Sequence, residues 1–156
     1  MPNLHELKFQ VVCHELSWDQ LPEAATNMIT GLAEFLATFP TEHKLQRIDI
    51  FFNCEIDLTK FEKSQRPRSV KAHLRTGNWA ALDSMIVRIA NAAEHLLELH
   101  IKMGYFIGFD QNTDFEEAQH PGPVMKDWGV TYLPCLSKSP KVVMAVRMLY
   151  HDYYHR

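Results

Sequence analysis

Nine histidines are the chain's main reserve of side chains able to move protons near neutral pH or to hold a metal. His151 and His155 stand four apart, a spacing that on a helix puts both imidazoles on one face. No glutamate completes an HExxH pattern between them. His100 lies between Glu98 and Lys102 at alternate positions, where an imidazole could serve as an acid–base group. Asp110, Asn112 and Asp114 imitate the opening of a calcium loop. Phe115 replaces the turn glycine, however, and Pro121 stands where the bidentate glutamate belongs, so that site is rejected. Glu116 and Glu117 are adjacent acids with no apolar surroundings to raise a pKa. GxSxG, Walker and GxGxxG motifs are absent from the sequence. The catalytic alternative is therefore a small hydrolase, metal-dependent through His151 and His155 or histidine-dependent through His100. No catalytic, cofactor-binding or metal-ligating residue is assigned, and no cofactor is expected.

Composition narrows the classes further. A chain of 156 residues, 46% hydrophobic and 11% aromatic, fits one domain, 1–156, with a substantial core. No stretch has the roughly 18 consecutive apolar residues of a membrane helix, and MPNLHELKF lacks the basic start and apolar run of a secretory signal. A net charge of -3, with five of the sixteen basic residues confined to the polar loop Lys60–Lys71, leaves no electrostatic footprint for nucleic acid. Cys13, Cys54 and Cys135 form no CxxC pair and leave an odd count. Free thiols of this kind read as reduced, which places the protein in the cytoplasm or nucleus.

The elements that would position these groups come from hydrophobic period. Leu7, Phe9, Val11 and Cys13 alternate with Lys8, Gln10 and Val12, so residues 5–13 read as a half-buried strand. Met28, Ile29, Leu32, Phe35, Leu36 and Phe39 recur at steps of three and four, which predicts a helix over 20–38, with Ser17 and Gln20 as a capping box and Pro22 near its start. A second strand spans 45–54, with Ile48, Ile50, Phe52 and Cys54 against Arg47, Asp49, Phe51 and Asn53. After the polar stretch 55–77, Asn78 serves as N-cap of a helix over 79–94 whose apolar face is Trp79, Leu82, Met85, Ile86, Ile89, Ala90 and Ala93. The third strand, 96–103, sets Leu97, Leu99, Ile101 and Met103 against Glu98, His100 and Lys102. A long connection, 104–140, precedes a fourth strand at 142–148 and the tail HDYYHR.

One frame occurs three times in this order. L-x-x-L-x-[IF] gives Leu4, Leu7, Phe9; then Leu45, Ile48, Ile50; then Leu96, Leu99, Ile101, at intervals of 41 and 51 residues. Strand–helix–strand alternation argues for parallel strands with crossover helices. Alternating rather than continuous apolar strands leave the second sheet face to water. If neighbouring strands align by the frame, Cys13 and Cys54 meet.

These residues resemble a family. L-x-x-L-x-L-x-x-N/C is the strand part of a leucine-rich repeat, and Leu45, Ile48, Ile50 and Asn53 fill it. Trp79, Leu82 and Asp83 form a W-x-x-L-D helix start, and Leu133, Pro134 and Leu136 an LP-x-L turn before the final strand. Together these resemble the C-terminal region of fungal, mushroom-type F-box proteins. The F-box motif itself is not found. Leu21 and Pro22 imitate its opening, but Leu21–Leu36 lies between two repeat strands and reads as a repeat helix. Intervals longer than the roughly 20–29 residues of regular repeats make any arc irregular. The resemblance implies an α/β fold, a mostly parallel leucine-rich-repeat-like arc of order β-α-β-α-β-β with helices on one face. It also implies a non-enzymatic protein–protein recognition module like the substrate-recognition end of an F-box protein. An immunity- or inhibitor-type binder shares that logic. The expected partner-binding face is the outward row Lys8, Gln10, Arg47, Asp49, Phe51, Glu98, His100, Lys102 and Arg147, with Phe51 as aromatic anchor. A protein partner is expected there, with neither nucleic acid nor membrane.

Overall fold

The computed structural model describes residues 4–13, 21–57, 77–109 and 128–154. In chain order they form β1 (Glu6–Cys13), α1 (Leu21–Ala37), β2 (Arg47–Asp57), α2 (Trp79–Ala92), β3 (Leu97–Phe109), α3 (Trp128–Tyr132), α4 (Pro134–Lys138) and β4 (Val142–Tyr154). The four strands make one sheet in the order β1-β2-β3-β4, and every pairing is parallel. Parallel neighbours require a crossover rather than a tight turn. Here α1, α2 and the α3–α4 pair lie in the three crossover connections.

The sheet register is the sequence frame. Leu7 pairs with Ile48 and Ile48 with Leu99; Phe9 pairs with Ile50 and Ile50 with Ile101. The intervals of 41 and 51 residues are therefore strand-to-strand offsets. β4 carries no copy of the frame, yet Met144 and Val146 fall beside Leu99 and Ile101. A slip of one residue would turn every one of these side chains to water, so burial specifies the register.

The described helices all pack on one face. Ile29, Leu32 and Leu36 of α1, Trp79, Leu82, Ile86 and Ile89 of α2, and Trp128, Leu133 and Leu136 join Ile48, Ile50, Phe52, Leu97, Leu99, Ile101 and Met103 in a single core. Burying each such aliphatic side chain contributes about 1.5–3 kcal/mol relative to exposure. Trp79 is the aromatic centre, edge-on to Phe52 at 5.6 Å and to Trp128 at 4.8 Å.

Polar side chains tie the helices at their ends. Arg88 of α2 donates through Nη2 to the carbonyls of Leu36 and Ala37 at 2.7 and 3.1 Å, supplying the cation that α1 lacks in its own last turn. Buried His43 accepts the Leu45 N–H on Nδ1 at 3.2 Å, and its Nε2 lies 3.1 Å from the Ile89 carbonyl. Those contacts assign the Nε2–H tautomer and pin the α1–β2 connection to α2. Asp83, 2% exposed, accepts the Cys135 and Leu136 N–H groups at 2.9 Å each. The W-x-x-L-D and LP-x-L segments therefore meet through this carboxylate.

Several expectations are corrected. β2, β3 and β4 run past 54, 103 and 148 to Asp57, Phe109 and Tyr154. Aromatics in GYFIGF and LYHDYY break the apolar–polar alternation that marks a strand, while β-propensity and the continuous ladder carry pairing through Phe109 and Tyr154. His151 consequently lies in a strand, so the helical spacing with His155 does not apply; His155 itself lies outside the described residues. The connection 104–140 contains α3 and α4, each five residues and too short to show a helical period. Asn78 occupies the N-cap position of α2 but makes no side-chain cap hydrogen bond. Phe35 is 51% exposed at the rim, edge-on to Phe9 at 5.5 Å, and Leu96, first of its frame, is 54% exposed. Ser17 with Gln20, Lys60–Lys71, Asp110 to Asp114, and Glu116 with Glu117 lie outside the described residues.

Candidate functional site

The face opposite the helices is a grid set by strand alternation and register. Its first row is Glu6, Arg47, Glu98 and Val143; the second is Lys8, Asp49, His100 and Ala145; the third is Gln10, Phe51, Lys102 and Arg147; the fourth begins Val12, Asn53, Gly104. All nine residues expected on the outward face are therefore brought together within three rows. Adjacent strands lie about 4.8 Å apart, so neighbours in a row are within side-chain reach. Among the described residues no element covers this face.

The first two rows set opposite charges side by side, two cations against three acids. Arg47 Nε donates to Asp49 Oδ1 at 2.9 Å and lies 3.4 Å from Glu6 Oε1, while Lys8 pairs with Glu6 at 3.2 Å. Arg47 Nη2 donates to His100 Nδ1 at 3.1 Å. Because a guanidinium cannot accept, His100 Nδ1 supplies the lone pair, which assigns the Nε2–H tautomer. His100 Nδ1 is 3.4 Å from Asp49 Oδ1, but in this tautomer it has no proton to give. The Asp49 hydrogen bond holds the Arg47 guanidinium above its ordinary pKa, against partial burial and with help from the charges of Asp49, Glu6 and Glu98. Partial burial pushes the Asp49 carboxyl up, but the Arg47 hydrogen bond and charge, with the charge of Lys8, outweigh it and leave the pKa below the usual carboxylate range.

The third row is shaped differently. Phe51 is half-buried because its ring lies over Gly104, where a Cβ would meet ring carbons at 3.2 and 3.3 Å. A glycine on one strand thus seats an aromatic ring from the next. Lys8, Gln10, Asp49, Phe51, His100 and Lys102 line an open hollow of about 550 Å³. A second hollow of about 560 Å³, at the start of the strands, is lined by His5, Glu6, Gln46, Arg47, His95, Leu96 and Glu98.

Alternation already set Val12 and Asn53 on this face; sequence reasoning missed Glu6, Val143 and Ala145, although alternation carried one step further along their strands reaches them. Gly104 gave no signal, since a glycine inside a strand does not say which neighbour covers it. The backbone register does pair Cys13 with Cys54; their thiols lie outside the described side chains. Cys135 is an exposed thiol, and the Asp83 carboxylate beside it raises its pKa by hydrogen bonding and charge, against the opposing pull of Lys138.

Among the described residues no group of three or more His, Cys, Asp or Glu side chains could hold a metal ion. No described helix is long and apolar enough to cross a membrane. No protein-family model, curated protein or solved structure matches the chain.

Proposed function

We propose that the protein is a non-enzymatic protein–protein recognition module whose contact surface is the open sheet face. A leucine-rich-repeat-like arc, related in build to the target-recognition end of F-box proteins, is the finer architectural reading. The observation that carries the function is the one-sidedness of the sheet: helices bury one face while register gathers Lys8, Gln10, Arg47, Asp49, Phe51, Glu98, His100, Lys102 and Arg147 on the other. A sheet face that no described element covers, with mixed charge and a seated aromatic, is the kind of surface repeat proteins offer to partners. Its charged groups also favour recognition over proton transfer. Arg47 occupies His100 Nδ1 and Asp49 together, so the carboxylate–imidazole pair is fixed by a cation rather than set to relay a proton.

The test is cross-linking mass spectrometry of affinity-purified complexes with wild type, Arg47→Glu, Phe51→Ala and Glu34→Lys on exposed α1 surface. Partners cross-linked to the sheet face and lost in the first two variants, but kept by Glu34→Lys, are the expected result. Equal recovery by all four folded proteins overturns the reading.

A further inference from the structure

We propose that the open face docks an acidic peptide segment, its carboxylates engaging Lys102 and Arg147 and a neighbouring apolar side chain lying on Phe51. This rests on the recognition reading above and adds the chemistry of the partner. The carrying observation is a break in the charge pattern of the grid. Glu6 against Arg47, Arg47 against Glu98 and Lys8 against Asp49 all place opposite charges side by side. Lys102 and Arg147, by contrast, are two exposed cations in direct register. Like charges opposed across strands are unfavourable, and a bound anion relieves that repulsion.

The nearby acids do not relieve it. Asp49 is held by Arg47 and Glu6 lies between Lys8 and Arg47. Glu98 and Glu55 are each two rows away along the strands, Glu98 exposed and facing Arg47 across the register and Glu55 engaged elsewhere. Among the described residues neither Lys102 nor Arg147 has an acidic partner. Arg147 offers a planar fork suited to a carboxylate, and Lys102 a mobile point charge beside it. On the other side of Lys102 in the same row, the partly exposed Phe51 ring borders the 550 Å³ hollow. From Arg147 to Phe51 is two strand spacings, about 10 Å, which an extended peptide covers in about three residues. The complementary segment is therefore one or two acids followed within about three positions by a large apolar residue.

A polymeric anion fits worse. Glu6, Asp49 and Glu98 share the face, the chain carries a net charge of -3, and two cations cannot hold a nucleic-acid backbone along its length.

The experiment selects phage-displayed random peptides of about 12 residues on the immobilised full chain. Synthetic fluorescein-labelled winners are then titrated by anisotropy at an ionic strength of about 0.15 M. Enrichment of acid-plus-apolar peptides is expected, with affinity falling on the order of tenfold or more in Lys102→Glu/Arg147→Glu, and partly recovering when the acids of the peptide are changed to lysines. The milder Lys102→Gln/Arg147→Gln pair gives the same direction should charge reversal impair folding by circular dichroism. Winners without acids, or acidic winners bound equally by both variants, overturn the proposal. If such winners are still lost in Phe51→Ala or Arg47→Glu, the sheet face remains a recognition surface and only the acidic partner is wrong. If no winner is sensitive to any sheet-face variant, both readings fail. Binding of inorganic phosphate or a single-stranded oligonucleotide in place of the peptides, lost in the charge-reversed variant, also overturns the peptide assignment.

Discussion

Asp83 accepts the backbone N–H of Leu136 at 2.9 Å from its place on α2, and thereby fastens the first turn of α4 to a helix that precedes it by 52 residues at the closest bonded pair, Asp83 to Cys135. Asp83 is 2% exposed and its bond from the Leu136 N–H is buried, so that donor has no ready exchange for water, while the Cys135 N–H is only part-buried. Asp83→Ala should destabilise the fold by about 1–3 kcal/mol, most of it from the unpaired, buried Leu136 donor. Urea denaturation checks this. Asp83→Asn keeps one strong acceptor and should lose less. It should also make the Cys135 thiol more acidic, because the neighbouring carboxylate is what raises its pKa. Faster alkylation of the Cys135 peptide at neutral pH, measured by mass spectrometry, is the readout.

His43 is expected to be structural rather than functional. It joins the Leu45 N–H to the Ile89 carbonyl while its ring lies 5.3 Å from Phe39. His43→Ala should cost about 2–4 kcal/mol, since a donor, an acceptor and ring volume are lost together. Spectra reporting a native fold with undiminished stability would remove this role.

Asp49 gives the sheet face a pH dependence. Its folded pKa is depressed by Arg47, so its contribution to stability is present above the unfolded carboxyl pKa of about 4 and is lost as pH falls through the lower folded value. Wild type should therefore lose more stability than Asp49→Asn between about pH 5 and pH 3. Denaturation midpoints at several pH values measure the difference. Parallel acid limbs would show that the pair adds nothing to folding.

Phe51 and Gly104 should behave as one unit. Gly104→Val places a branched side chain where the Phe51 ring rests, with ring carbons 3.2 and 3.3 Å from the first added atom. A loss of about 1–3 kcal/mol is expected from overpacking. In Phe51→Ala the same valine should cost less, and a double-mutant cycle should return a coupling of about 0.5–1.5 kcal/mol. Additive effects would mean the ring does not depend on the glycine.

Much of the fold is legible in the sequence, because that part depends on hydrophobic period. Leu7, Ile48 and Leu99 share a frame position, and burial of that position is what aligns three strands in register. The helices α1 and α2 are equally legible from three- and four-residue spacing. The extensions of β3 and β4 are not, since ladder pairing sustains segments whose own pattern is mixed.

The outward residues were determined by the sequence through alternation alone: once Ile48 and Ile50 face the core, Arg47, Asp49 and Phe51 cannot. Which of them neutralise one another was decided only in three dimensions. Register sets Arg47 beside Glu6 and Glu98 but Lys102 beside Arg147, and Gly104 beneath the Phe51 ring. The same holds for Asp83, an acid on an apolar helix face until the chain returns Cys135 and Leu136 to it. Local period dictates which way a side chain points, whereas its partner comes from another strand or helix tens of residues away, and that pairing exists only after the sheet has closed its register.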